Sequence, residues 1–321
     1  MNELRNKQRQ FNQKIIGFSI LLLAVIYFFG KVIFNTESIT VITLSVASLS
    51  LFLYGYYIVF KEQMAWKKIK INFLDIDLLF VALAAIATYY IATVFSLSVT
   101  ISSSMIGIIG YSVLKKHSFA IYCGSFAGMS SSLIFNFYEM MLIALLCGII
   151  FIIIKNMLNG CGGRLGSIAF ASTLLVGTIF GKTTLNVDAN YHILLLFLSA
   201  FLSISAAYLL RKKYNYSVVM ASALPSLLYA IIFELFFKDF SVYPAIFFTA
   251  SFVGMVDLRR IPNFKYILIL AVFMTIIFFV FFNYYNGYGG KMGMSAFIAL
   301  ISMIGLKSIA GKTKRFILKQ S

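Results

Sequence analysis

Long, uninterrupted apolar runs dominate this chain of 321 residues. We predict about twelve of them, at residues 15–35, 38–60, 78–97, 98–114, 118–134, 137–154, 165–181, 192–210, 217–237, 243–257, 264–283 and 292–308. A helix that crosses a bilayer needs about 20 such residues, and in lipid only helices or closed barrels satisfy the backbone. Because the runs are continuous and do not alternate, they predict an all-α polytopic membrane protein with about 12 transmembrane helices.

Composition excludes most soluble classes. Hydrophobic residues make up 61% of the chain and charged residues 12%, with a mean hydropathy of +0.94. Soluble domains carry about 25% charged residues. The chain has three cysteines, two histidines and no CxxC or Cys/His spacing, so we expect no disulfide framework, no metal site and no cofactor. We find no HExxH, GxSxG or P-loop sequence, and therefore expect no enzyme activity.

The positive charges predict an orientation. If the N-terminus is cytoplasmic and the twelve runs alternate, 23 of the 27 Lys and Arg residues fall on the cytoplasmic side. The other side keeps Lys31, Lys182, Lys238 and Lys291. Basic loops stay on the cytoplasmic side of membrane proteins. The net charge of +17 is therefore better explained by topology in the cell membrane, with both termini cytoplasmic, than by nucleic-acid binding.

The chain divides into an accessory region, two similar units and a tail. Residues 1–77 hold two spans, units one and two are 78–181 and 192–308, the linker is 182–191 and the basic tail is 309–321. In the accessory region, the loop 61–77 holds Trp66 beside Lys67, Lys68 and Lys70. We expect this loop to lie on the anionic lipids of the inner leaflet.

An internal repeat relates the two units. NGCGGRLGSIAF at 159–170 and NGYGGKMGMSAF at 286–297 share seven of twelve residues. GSFAGM at 124–129 matches ASFVGM at 250–255, and SVTISSSM at 98–105 resembles SVVMASAL at 217–224. Each unit has five spans. Because five is odd, the second unit begins on the opposite side of the membrane, which predicts a 5+5 inverted-topology repeat.

Two kinds of sequence are candidates for a substrate path near the midplane. The S-F-x-G-M motif occurs in the third span of each unit, where glycine permits a helix break. Serine-rich segments precede each motif along the chain. The predicted path residues are Gly124, Ser125, Phe126, Gly128, Met129, Ala250, Ser251, Phe252, Gly254, Met255, Ser102, Ser103, Ser104 and Ser222. The alternative is close helix packing through small residues and interhelical hydrogen bonds.

The N-G-x-G-G-[RK] sequence is the second motif that both units share. Its glycines can form an anion-binding nest that the following cation reinforces, so we predict one mouth loop on each aqueous side. The mouth loops are Gly162, Gly163 and Arg164, and Gly289, Gly290 and Lys291. The alternative is a glycine turn that begins a helix, with both cations at the membrane interface.

Acidic residues are scarce within the spans. Glu234, in IIFELFF, is the deepest, and ionisable residues inside membranes are often functional. We name it a possible coupling or gating acid. Together these features predict a transporter or channel-like facilitator for a small polar or anionic solute. A coupling ion is a candidate second partner. A membrane enzyme or flippase acting on lipid-linked substrates, or a scaffold, is the alternative. Homo-oligomer formation stays open.

Overall fold

The structure is a computed structural model. It describes residues 2–64, 75–187, 190–237 and 241–320, with side chains between residues 12 and 311. Regular structure in these ranges is entirely helical. The helices are α1 Asn2–Asn35, α2 Ile39–Met64, α3 Asp77–Val94, α4 Val99–Val113, α5 Ser118–Ala127, α6 Phe137–Ile154, α7 Arg164–Ile179, α8 Ile193–Tyr214, α9 Val218–Phe236, α10 Val242–Val253, α11 Phe264–Phe281 and α12 Lys291–Gln320.

Each predicted apolar run contains one helix. Eight helices of the described ranges (α1, α2, α3, α6, α8, α9, α11 and α12) are long and apolar enough to cross a membrane, and α4, α7 and α10 are shorter apolar helices. This architecture fits a helical membrane protein. Helix α12 continues through Gln320, so the predicted tail 309–321 is mostly helical. The predicted interfacial contact of Trp66, Lys67, Lys68 and Lys70 falls on residues outside the described ranges.

Helices α5 and α10 are shorter than predicted, because both end at the S-F-x-G-M motif. Helix α5 ends at Ala127 and α10 at Val253, each followed by its motif glycine as the C-terminal cap. The helices therefore stop seven residues before the end of the predicted run 118–134 and four residues before the end of 243–257. Residues 128–136 continue as turns, and the α10 segment proceeds to a 3-10 turn at Leu258–Arg260.

The α5 segment, which is helix α5 with the turns that follow it to residue 136, nonetheless runs along most of helix α3. At one end, His117 Nδ1 lies 2.6 Å from the Asp77 carboxylate. At the other, the Tyr89 hydroxyl donates to the Phe135 carbonyl at 2.7 Å. Twelve residues of helix separate Asp77 from Tyr89, which is about 18 Å. We call these two ends of the bundle the Asp77 end and the Phe135 end.

The α10 segment runs along helix α8 in the same way. The amide of His192, just before α8, donates to the Tyr243 hydroxyl at 3.1 Å. In the last turn of α8, Arg211 donates to the Gly254 carbonyl at 2.8 Å and also to the carbonyl of Val256. Nineteen residues of helix, about 28 Å, separate His192 from Arg211. Each broken segment is therefore held at both ends by one long neighbouring helix.

The two N-terminal helices pack on the rest of the bundle. Phe28 of α1 stacks on Phe281 of α11, with ring centroids 3.8 Å apart. Helix α2 runs parallel to α12, and the Ser302 hydroxyl donates to the Ser48 carbonyl at 3.2 Å. A side chain at Gly55 would overlap the Ile301 carbonyl, so glycine lets these two helices approach closely.

Candidate functional site: the crossing of four helix ends

Helices α7 and α12 cross at their first turns. A Cβ atom at Gly166 or at Gly293 would overlap the other glycine. Gly163 and Gly290, the residues before the two helices, have φ of +81° and +80°, a region that glycine adopts without strain. A side chain at Gly163 would overlap Gly293 and Phe297, and one at Gly290 would overlap Gly166 and Phe170. The two helices are antiparallel here. The contacts of Gly163 with α12 are matched by the equivalent contacts of Gly290 with α7.

The C-terminal ends of α5 and α10 meet the loops that precede these helices. Gly162 packs against the carbonyls of Phe252 and Val253, and Gly289 packs against those of Phe126 and Ala127. Two hydrogen bonds join the same segments further on. The Ser131 amide donates to the Gly287 carbonyl at 2.9 Å, and the Asp257 amide donates to the Gly160 carbonyl at 3.0 Å. Four helix ends, two of each polarity, therefore converge in the interior.

The predicted mouth loops lie deeper than expected. All four glycines, Gly162, Gly163, Gly289 and Gly290, are buried against the motif or the helix of the other unit. This burial favours the alternative of a glycine turn that begins a helix, and the placement of the two loops at opposite mouths stays a prediction. The left-handed glycines let α7 and α12 begin inside the bundle, so each loop returns inward from the surface before its helix starts.

The cations that follow these glycines bind their own loops in equivalent ways. Arg164 Nη1 donates to the Lys155 carbonyl at 3.0 Å and to Asn159 Oδ1 at 2.5 Å. Lys291 Nζ donates to the Phe282 carbonyl at 3.0 Å and to Asn286 Oδ1 at 2.5 Å. Each side chain thus joins the end of the preceding helix to the asparagine of its motif.

The predicted serines form interhelical hydrogen bonds. Ser103 and Ser125 hydroxyls lie 2.9 Å apart, joining α4 to α5, and those of Ser222 and Ser251 lie 2.7 Å apart, joining α9 to α10. The Tyr122 hydroxyl, 3.1 Å from Ser222, links the two pairs. For these four serines the geometry favours the packing alternative.

The remaining predicted path residues are also placed around α5 and α10. Ser102 donates to the Ser98 carbonyl at 3.1 Å within α4. Ser104 Oγ is buried without a partner in the described part of the chain. Gly124 and Gly128 pack on the α3 backbone, and Gly254 packs on Ala207 of α8. Ala250 and Met129 are buried in the core.

Two phenylalanines meet where the units touch. The rings of Phe126 and Phe252 are 4.6 Å apart at 52°. Tyr122 and Phe248 flank them equivalently, because the Tyr122–Phe252 and Phe126–Phe248 distances are both 6.2 Å. All four side chains are buried. The motif phenylalanines therefore form an aromatic contact at the centre of the bundle.

A cavity of about 620 Å³ leads to this aromatic pair from the Asp77 end. Its outer lining includes the exposed residues Lys116 and Asn156, and its inner lining includes Phe126 and Phe252. Met255, predicted as a path residue, lines it too. The cavity thus connects the surface to the contact between both S-F-x-G-M motifs.

The charged lining of this cavity is predominantly basic. The charged residues are Lys116, Lys155, Arg164, Arg211, Asp77 and Asp257. Four cations and two carboxylates leave two formal positive charges. Arg164 stands at the N-terminus of α7, where the helix dipole adds partial positive charge. The charged lining, counted without Asp75 that pairs with Lys155, is therefore net positive.

Ion pairs hold the rim of the cavity. Lys155, just after α6, bonds to Asp75 and lies 2.8 Å from the Asp77 carboxylate. The hydrogen bond from the Lys155 ammonium keeps the pKa of Asp75 below its usual value. Together with His117, this cluster joins the starts of α3 and α5 to the end of α6.

The sequence analysis did not identify some of the cavity residues as candidates. Arg211 and Lys155 appeared only as topology signals, because cytoplasmic loops carry such cations anyway. Arg211 follows a serine-rich apolar span, and nothing in its sequence pattern marks its bonds to Gly254 and Val256.

Glu234 lies elsewhere. It is exposed near the end of α9 and lines neither of the two cavities described here. Among the acids whose side chains the structure describes, Glu139 is the buried one. It caps α6 together with Asn136 and lies 2.8 Å from Lys182 at the Phe135 end. The geometry therefore supplies no basis for a coupling role of Glu234.

Comparisons with protein-family models, with curated proteins and with solved structures find no match for this chain.

Proposed function

We propose that this protein is a membrane transporter that moves a small anionic solute between two inverted units. The single observation that carries the proposal is the basic cavity that ends at the paired motifs. Both units contribute to its floor through Phe126 and Phe252, and its charged lining is net positive. A cavity built from both halves and closed at the centre is suited to a solute that passes between them.

The reciprocal contacts support the inverted arrangement. Gly163 faces Gly293 while Gly290 faces Gly166, and these pairs are related by the sequence offset of the repeat. Helices α7 and α12 occupy equivalent places in the repeat and cross antiparallel, which supports opposite directions for the two units. Such exchange is characteristic of a pseudo-two-fold axis in the membrane plane.

The geometry suggests a mechanism of alternating access. In this structure the cavity opens at the Asp77 end and the aromatic pair closes its floor. An anion that enters would meet Arg164 at the positive end of α7. Rocking of one unit against the other would part Phe126 from Phe252 and close the basic cavity. Lys291, the equivalent of Arg164, would then face the opposite side.

Flux into liposomes tests the proposed function. We expect the purified protein to carry small anions, such as monocarboxylates, phosphate or sulfate, in preference to cations of similar size. Arg211→Gln should reduce the flux because it removes a cavity cation and frees the end of α10. Lys213→Gln is the matched control, since Lys213 belongs to the same helix turn and does not line the cavity. Equal flux from both variants would contradict the assignment of the cavity.

Cysteine labelling tests the topology in a variant without the three native cysteines. If the α5 segment crosses the membrane, Lys116→Cys should react with an impermeant thiol reagent from the cytoplasmic side and Leu133→Cys from the outside. Both positions are exposed. For the α10 segment we expect Ser241→Cys outside and Arg259→Cys inside. Labelling of Lys116→Cys and Leu133→Cys from one side would mean that the α5 segment re-enters and that the units are not inverted.

A further inference from the structure

A second cavity lies away from the proposed solute path, at the side of the bundle. It has a volume of about 410 Å³ and lies between α2, α12 and the 3-10 turn. Its lining residues are Ile58, Glu62, Arg260, Met303, Ile304, Lys307, Ser308 and Gly311. Neither unit's S-F-x-G-M motif contributes to it, so the transport proposal leaves it without a role.

The lining changes from apolar to charged along the bundle axis. Helices α2 and α12 run parallel, so residues one turn further along both helices lie at a similar depth. Ile58, Met303 and Ile304 form the apolar part. One turn later, about 5.4 Å further along the axis, Glu62 and Lys307 form the charged part together with Arg260. The cavity therefore has the amphipathic profile of a phospholipid, with one end for acyl carbon and one for a headgroup.

The two cations at the charged end are held in position. Arg260 Nη2 lies 2.9 Å from Glu62 Oε2, and only 23% of the Arg260 side chain is exposed. Lys307 Nζ lies 4.5 Å above the centre of the Tyr266 ring. One carboxylate against two cations leaves a net positive charge.

The surroundings of the cavity indicate that its ligand is a lipid, whose headgroup phosphate would meet the two cations. Leu306 and Ile309, beside Lys307 on α12, are 39% and 43% exposed, as expected of a lipid-facing surface. The cavity lies at the basic end of the bundle, which the charge distribution assigns to the cytoplasmic leaflet. Basic pockets between helices on that side suit anionic headgroups. We propose that this cavity binds an anionic phospholipid, with Arg260 and Lys307 on the headgroup phosphate and the apolar end against an acyl chain.

Two variants test the site by different means. Arg260→Gln combined with Lys307→Gln removes the charge. Gly311→Leu fills the cavity instead, and it should fold because a Cβ at Gly311 meets nothing within 4 Å and leucine favours helix more than glycine does. Arg259→Gln is the charge control, since the Arg259 side chain is 82% exposed and does not line the cavity. Gly30→Leu is the steric control, because Gly30 is also a helical glycine with open space around it.

The measurement is the thermal unfolding temperature of the full chain in nanodiscs of phosphatidylcholine with or without phosphatidylglycerol. We expect phosphatidylglycerol to stabilise the wild type and both controls, because a ligand that binds only the folded state raises stability. The increase should fall to roughly half or less in both test variants, and native mass spectrometry should show less retained lipid. An equal increase in all five proteins would overturn the proposal. An equal increase from soluble glycerol phosphate would overturn the lipid assignment in favour of a site for free phosphate esters.

Discussion

Gly166→Leu or Gly293→Leu is expected to destabilise the protein severely, by about 3 kcal/mol or more. Overpacking a well-filled interior costs about 1–3 kcal/mol, and these sites lie at the upper end because a Cβ atom would overlap the opposite glycine backbone. The overlapping atoms belong to the helix backbone, which cannot change rotamer to make room as a side chain can. Thermal unfolding in detergent, together with the yield of monodisperse protein, measures the effect.

Gly30→Leu is the matched control for this prediction. Gly30 is also within a helix, but a Cβ there meets nothing within 4 Å, so the change should be neutral or mildly stabilising. Direct contact between the two glycines has a further consequence, which crowding at two independent sites would not have. Because Gly166 and Gly293 face each other, Gly166→Ala and Gly293→Ala should have non-additive effects. If each leucine variant were as stable as Gly30→Leu, the crossing of α7 and α12 would be wrong.

Arg164→Gln is expected to reduce anion flux at least about tenfold, whereas Arg164→Lys should retain most of it. A hydrogen bond between the transported anion and the charged Arg164 side chain would contribute about 1.5–3 kcal/mol. A tenfold change in flux corresponds to about 1.4 kcal/mol. Lysine should suffice because Lys291 makes the equivalent bonds to Phe282 and Asn286 in the other unit. The measurement is the initial rate of uptake of the best-transported anion into liposomes.

The comparison of glutamine with lysine separates charge from packing. Both replacements remove the guanidinium from the Lys155 and Met157 carbonyls, so thermal stability is measured beside flux for both variants. Only glutamine removes the positive charge from the cavity and from the start of α7. Equal flux in the two variants would show that Arg164 acts only through the fold of its loop, and would remove it from the proposed path.

The number and position of the helices could be read from the sequence, but at each motif glycine the sequence showed only that a break was permitted. Each apolar run contains a helix because burial of apolar side chains is a local property of composition. The runs at 118–134 and 243–257 remain apolar beyond their glycines, so hydropathy does not show that α5 ends at Ala127 and α10 at Val253. These ends depend on carbonyls that pack against Gly289 and Gly162 from distant parts of the chain.

The candidate site was predicted in part. The sequence singled out Phe126, Phe252 and Arg164 through the repeat, and the structure places all three in the lining of one cavity. It did not identify Arg211, whose contacts with Gly254 and Val256 join segments more than forty residues apart. Glu234 was chosen for its depth within an apolar run, but depth along a helix does not specify which face the side chain occupies.

By itself the sequence determined that the chain is helical, that it is apolar enough for a membrane and that two units share their motifs in the same order. Composition, run length and self-similarity are sufficient for those conclusions. Only the tertiary structure decided that the glycine loops turn inward, that helices α7 and α12 cross at Gly166 and Gly293, and that the basic cavity ends at Phe126 and Phe252. Those features arise from contacts between segments that lie 90 to 163 residues apart in sequence, and no local pattern encodes which distant backbone will fill the space that a glycine leaves.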